Sequence, residues 1–202
     1  MTTAAESLAE ILARPEPDPK EVAYLFDELS MAGAVAAARS LSGRRLQGAL
    51  WKAVEGNPRI STDDLVPADY PTMKPVVFHG KNSLPAFTEF EKICFRPANA
   101  RESVLWGYNE TSIKSLVGPG YYVVHDTGKE RLGGTAFDYR QLPDDRLPAW
   151  PEIRPNDAGL SRFVYNNTVD YMRRVAKKVF IGSATRNGKE LGSYFVLVRE
   201  LH

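Results

Sequence analysis

From Val76 onward the chain is written in short runs of aromatic and β-branched residues, and this is what most limits its possible folds. "PVVFHG", "AFTEFEKICFRP", "SVLWGYNE", "IKSLVGPGYYVVHD" and "GGTAFDYRQLP" follow one another, with Gly, Pro, Asn or Asp separating most of them. Runs this short suit strands of an antiparallel meander, sandwich or barrel. The last part is the clearest hairpin: "KVFIGSAT", then "RNGK", then "ELGSYFVLVREL". Asn187-Gly188 fits a type I′ turn, which needs positive φ at both central residues. Both of its strands are apolar enough to belong to a sheet interior. In "FTEFEKICF", Phe87, Ile93 and Phe95 alternate with Thr88, Lys92 and Arg96. Phe90 and Cys94 break the polar set, which predicts two covered faces or a bulge. "VVFHGKNSLPAFTEF" reads as two strands joined by a turn at Gly80.

The first third has a different texture. "AAESLAEILA" puts Leu8, Ile11 and Leu12 at helical spacing, with its acids early, where the helix dipole favours them. "RPEPDP" carries three prolines in six residues and must break that helix. Asp18 then reads as an N-cap and Pro19 as the first residue of a second helix, whose face is Val22, Leu25, Phe26 and Leu29. Ser30 caps an alanine-rich third piece. Ser42 caps a fourth, with Leu46, Leu50 and Val54 along one side and Gly56 as its stop. "GNPRISTDDLVPADYPTMKP" is a proline-punctuated crossing. The expected fold class is therefore α+β: a helical region over residues 1–56, the crossing over 57–75, and an antiparallel β-barrel over 76–202. The helices are expected to pack against the barrel or to plug it.

Composition removes several functions. With 43% apolar residues in 202, the chain can fill a core. A net charge of +1 argues against a nucleic-acid partner, which usually asks for a basic excess. The segment from Ser161 on is locally basic and reads as a solvated strand face or hairpin. The single cysteine, Cys94, rules out an intramolecular disulfide and gives no support to a Cys-based zinc site. No apolar run approaches the roughly 20 residues of a membrane span. The N-terminal residues show no basic start followed by a long apolar run, so the expected location is the cytoplasm.

The closing residues "FVYNNTVDYMRRVAKKVFIGSATRNGKELGSYFVLVRE" resemble the last strands of a small bacterial family known by a GXWXG motif. The matching features are Asp170, Arg173, Gly182, Gly188, Phe195 and Arg199, over about 40 residues; "YLFDEL" and "FHGK" are weaker echoes. The naming motif, Gly-x-Trp-x-Gly, does not occur in the chain. The resemblance implies a calycin-like, lipocalin-like barrel and carries over no catalytic residue.

A search for chemistry finds no enzymatic signature. His79, His125 and His202 lack the spacings of a zinc site, so no metal is expected. "GLS" is not a nucleophile elbow, and "GKNS" and "GPGYY" lack phosphate-loop spacing and context, so no cofactor is expected. Cys94 reads as a small buried hydrophobe. Glu89 and Glu91 share a strand face about 7 Å apart and read as solvated. Asp138 and Arg140 share one face of "FDYR": a specificity pair if they point inward, a surface pair if outward. The β region is rich in rings, which fill a core or line a pocket for an apolar molecule. The expected function is binding of a small hydrophobic or amphipathic ligand in the barrel. Its candidate site is His79, Lys81, Tyr122, His125, Asp138, Tyr139, Arg140 and Tyr165. One alternative is a cofactor-free isomerase, cyclase or hydrolase with His79 or His125 as base and Asp138 as orienter. The other is a non-catalytic interaction module that docks through its helices.

Overall fold

The computed structural model describes residues 3–98, 103–128 and 132–201. Four helices come first: α1 (Ala4–Ala13), α2 (Pro19–Glu28), α3 (Met31–Ser40) and α4 (Gly43–Ala53). Their boundaries follow local chemistry. Asp18 accepts a hydrogen bond from the Lys20 amide at the start of α2, and Ser30 accepts one from Gly33 at the start of α3. Ser42 sits at the N-cap of α4 but makes no side-chain cap bond. Val54, not Gly56, is the C-cap of α4.

A short helix, α5 (Thr62–Leu65), lies in the crossing. The strands are β1 (Val76–Asn82), β2 (Glu89–Phe95), β3 (Leu105–Glu110), β4 (Tyr122–Asp126), β5 (Thr135–Asp138), β6 (Thr168–Arg174), β7 (Val179–Arg186) and β8 (Lys189–Glu200). Single helical turns, α6 (Lys114–Val117) and α7 (Ser161–Val164), sit in two of the connections. The strands form a closed antiparallel barrel in sequence order, with β1 pairing β8 from Val77↔Glu200 to Asn82↔Phe195. The fold is thus the expected α+β arrangement, an N-terminal helical region followed by an antiparallel barrel, here of eight strands.

Closure gives each strand an inner and an outer face. Val76, Phe78, Cys94, Leu105, Tyr122, Val124, Phe137, Met172, Phe180, Phe195 and Leu197 meet in the interior core. On β7 and β8 the other parity is also apolar: Val179, Ile181, Val196 and Val198 pack under Val22, Phe26, Leu50 and Trp51. The helices therefore cover the outer wall and do not plug the barrel. This explains why the last hairpin is apolar on both faces. Each fully buried side chain of this kind contributes about 1.5–3 kcal/mol.

One end of the barrel is sealed by the crossing. Ile60, Leu65 and Val66 join the interior core there. Arg199 donates to the Asp64 and Leu65 carbonyls, and Arg96 to Asp63 and the Val66 carbonyl. At the opposite end stand the β1–β2, β3–β4, β5–β6 and β7–β8 connections. The last is the expected turn, with Asn187 at φ 52° and Gly188 at φ 73°.

The expected turn at Gly80 is corrected. Gly80 is not a turn: it lies inside β1, opposite Phe90, and the bend falls at residues 83–87. A Cβ at Gly80 would stand 2.7 Å from Phe90 Cζ, so glycine here makes room for a ring inside the barrel. In "LVGPGYYVV", the start completes the helical turn α6 before Gly118 ends it. We expect Gly80→Ala to destabilise the fold by about 1–3 kcal/mol through overpacking. Phe90→Leu in the same chain should recover much of that loss, as read from urea denaturation midpoints.

Candidate functional site

Lys92 occupies an inward position of β2, in the same parity as Phe90 and Cys94. It is 1% exposed, which a lysine rarely tolerates without partners. Its Nζ donates to Asn109 Oδ1 at 3.0 Å and to the Tyr139 hydroxyl, and lies 3.4 Å from Asp170 Oδ2. Asn109 comes from β3, Asp170 from β6 and Tyr139 from the residue after β5, so the barrel itself brings the group together. Asn109 is held in turn by donating to the Gly120 carbonyl at 2.9 Å. Five rings surround the same Nζ: Phe137 at 4.7 Å, Tyr122 and Tyr139 at 4.9 Å, Phe195 at 5.1 Å and Phe90 at 5.8 Å. A cation so placed is attracted to each ring face, by up to about 2 kcal/mol where water is excluded.

Burial sets the electrostatics. It lowers the Lys92 pKa, against the pull of Asp170. It raises the Asp170 pKa, against the pull of Lys92 and the Tyr139 hydroxyl. Both shifts point toward the uncharged forms. Burial also pushes the Tyr122 and Tyr139 hydroxyls well up, and the Cys94 thiol up to about 12. The thiol therefore stays protonated and unreactive.

Above this cluster lies a cavity of about 440 Å³, with Lys92, Asn109, Tyr139 and Asp170 at its polar floor. Its walls include Phe90, Ile113, Val117, Tyr165 and Phe195. Tyr139 and Tyr165 stack with centroids 5.2 Å apart. The mouth opens between the four connections at the unsealed end. Its rim is apolar and exposed: Phe87 is 63% exposed and Phe163 62%, with Leu84, Val164 and Leu191 beside them.

The residues predicted from sequence divide into three groups. Tyr139 and Tyr165 line the cavity, and Tyr122 packs beneath Lys92. His79 and Lys81 alternate with inward Phe78 and Gly80 and do not line it. His79 Nδ1 is 3.1 Å from Glu91 and Nε2 is 2.7 Å from Glu200, while Lys81 donates to Thr88 at 2.8 Å. His125, Asp138 and Arg140 also leave the cavity to form a third group on the outer wall. Asp138 is 0% exposed and accepts from the Arg140 amide, Nε and Nη2, and from Gln141. Burial would raise its carboxyl, but these bonds hold it well below the usual range. His125 Nε2 stands 3.6 Å from Asp138, and that neighbour raises the imidazole pKa. Of the two sequence readings of Asp138 and Arg140, the outward pair is the one found, although Asp138 is fully covered.

Lys92, Asn109 and Asp170 are absent from the sequence-derived site. The signal for Lys92 was its shared parity with Phe90 and Cys94, and of the two expectations for this segment the two covered faces are what the strand shows. Ile93 and Phe95 face out instead, and Phe95 is covered there by Trp106 and Trp150. Asn109 and Asp170 carried no sequence signal for an inward position, since a strand's inner face is set by its neighbours. Among the described residues no group of three or more His, Cys, Asp or Glu side chains is placed to hold a metal ion. No helix among them is long and apolar enough to cross a membrane. No protein-family model, curated protein or solved structure matches the chain.

Two outcomes are expected. Lys92→Met leaves Asp170 buried without its partner and should cost about 3 kcal/mol or more. Lys92→Met with Asp170→Leu should recover most of that in a double-mutant cycle of urea denaturation. For His125 the folded pKa is raised, so its stabilisation is complete below the ordinary value of about 6.5 and is lost as pH rises through the folded value. The stability gap between the wild type and His125→Gln should therefore be widest in mild acid and close at higher pH.

Proposed function

We propose that this protein binds a small hydrophobic or amphipathic molecule inside its barrel. The observation that carries the reading is the gradient within one cavity, from an exposed apolar rim, along aromatic walls, to a buried polar floor. Its volume of about 440 Å³ falls in the range of small-molecule sites. An elongated ligand would enter between Phe87 and Phe163, lay its apolar body against Phe90, Tyr165 and Phe195, and set a polar end on Lys92, Asn109 and Tyr139. The floor supports this reading on energetic grounds. A buried Lys–Asp pair gives less stability than well-packed apolar residues of like volume, so stability alone does not account for it.

The proposal takes the barrel to be calycin-like, in keeping with the resemblance of its last strands to the bacterial GXWXG-type family, and places the protein in the cytoplasm. Two residues of that resemblance, Asp170 and Phe195, line the cavity. The enzymatic alternative loses its histidines, because neither His79 nor His125 lines the cavity; any chemistry there falls to Lys92, Asp170 and Tyr139. Docking through the helices is less favoured, since Tyr24 is the large hydrophobic exposed on α1–α4 among the described residues.

Ala184 lies on the cavity wall, so Ala184→Trp fills the space while leaving the polar floor intact. A naphthalene probe that brightens in apolar surroundings should bind the wild type and bind this variant at least about tenfold more weakly, a difference of about 1.4 kcal/mol. Native mass spectrometry of protein from its own host should show a retained small molecule. Equal probe binding by the two proteins, with no retained molecule, would sink the reading.

A further inference from the structure

We propose that Lys92 is an imine-forming lysine and that the ligand class is an aldehyde or ketone on an apolar frame. The inference rests on the cavity-binding reading above and names the chemistry at its floor. Three observations support it independently of composition.

First, the amine sits at the inner end of the cavity. A ligand entering from the mouth therefore meets Nζ with its leading atom. Second, the surroundings are dry. Five rings stand within 5.8 Å of Nζ, and the far end is closed by Leu65, Val66 and the crossing. An imine hydrolyses when water reaches it, so a ring-walled floor preserves the bond. Third, proton carriers are in place. Asp170 Oδ2 is 3.4 Å from Nζ, and the Tyr139 hydroxyl is hydrogen-bonded to it.

Burial also favours the free amine that the reaction needs, a common route to a nucleophilic lysine. The contacts around Nζ suit that form. A neutral amine has two hydrogens, which it donates to Asn109 Oδ1 and to the Tyr139 hydroxyl, and its lone pair is left for a third direction.

The step balances within these groups. The Nζ lone pair attacks the carbonyl carbon, the C–N bond forms, and the carbonyl electron pair moves to oxygen. Asp170 in its acid form protonates that oxygen, and its carboxylate then takes a proton from nitrogen to leave the carbinolamine. A second protonation releases the hydroxyl as water while the nitrogen lone pair closes C=N. The net change is one carbonyl and one amine giving one imine and one water, with no oxidant or reductant. When the imine is protonated, Asp170 is its counterion and the rings that faced the ammonium now face the iminium. Asn109 positions Nζ and does not itself exchange protons.

The test uses the full-length wild-type chain, 2-naphthaldehyde and sodium cyanoborohydride, which reduces an imine to a stable secondary amine. We expect a single adduct whose mass is that of the aldehyde less one oxygen, located on Lys92 by peptide mapping. Lys177, whose side chain is 86% exposed, serves as the internal control for indiscriminate surface labelling. Lys92→Met should lose the adduct. Asp170→Asn should slow its formation at least about tenfold, and in the wild type 2-naphthalenemethanol should displace the naphthalene probe. Labelling spread over exposed lysines and sparing Lys92 would overturn the imine. If the alcohol displaces the probe in that case, the cavity reading stands without it. If neither alcohol nor aldehyde displaces the probe, both readings fall.

Discussion

The pairing of β1 with β8 makes everything else possible. Until Val77 meets Glu200 and Asn82 meets Phe195, the eight strands have two faces but no inside. Closure turns one parity of every strand into a shared interior and removes both sheet edges, which would otherwise seek partners. It also sets β2, β3, β5 and β6 around one axis, so that Lys92, Asn109, Tyr139 and Asp170 converge although they are far apart in the chain. The long-range nature of this pairing is costly in loop entropy, and the large apolar interior offsets it.

The interior is asymmetric along its axis. The sealed end is tied by the crossing, where arginines donate to backbone carbonyls of α5 and its flank. The open end carries exposed rings and leucines on separate connections. An apolar rim in water is unfavourable, and a side chain such as Phe87 at φ 51° adds backbone strain to exposure. Together with the polar floor, these features set a direction in the molecule. Apolar matter is favoured at the entrance, and hydrogen-bonding groups wait at the end.

The outer wall shows how much polar structure in this chain concerns support. His125, Asp138 and Arg140 form a compact charged group, yet they hold the outside of β4 and β5 and never face the cavity. His79 bridges Glu91 and Glu200 across the β2–β1–β8 face in the same way. Titratable residues in a barrel thus divide by parity. A residue's type does not say on which side of the wall it lies: His79 and His125 are outside while Lys92 is inside, and His202 lies beyond the described residues.

Local chemistry written in neighbouring residues was legible without the fold. Asp18-Pro19 starts a helix, Ser30 caps one, Asn187-Gly188 turns a hairpin, and the ring-rich runs after Val76 are strands. Each depends on hydrogen bonds or dihedral preferences within a few residues. The number and spacing of those runs allowed a meander, a sandwich or a barrel. Tyr122, Tyr139 and Tyr165 were named from the sequence as rings, and all three belong to the interior cluster although only Tyr122 lies in a strand. What tertiary structure alone decided is the inside of the wall. Gly80 looked like a turn because its role, leaving room for Phe90, is fulfilled by a residue on the next strand. Lys92 was not singled out because the five rings and Asp170 that reach it come from β2, β4, β5, β6 and β8 and the residue after β5. A buried charge is tolerable only where such partners gather, and their gathering is a property of the closed barrel.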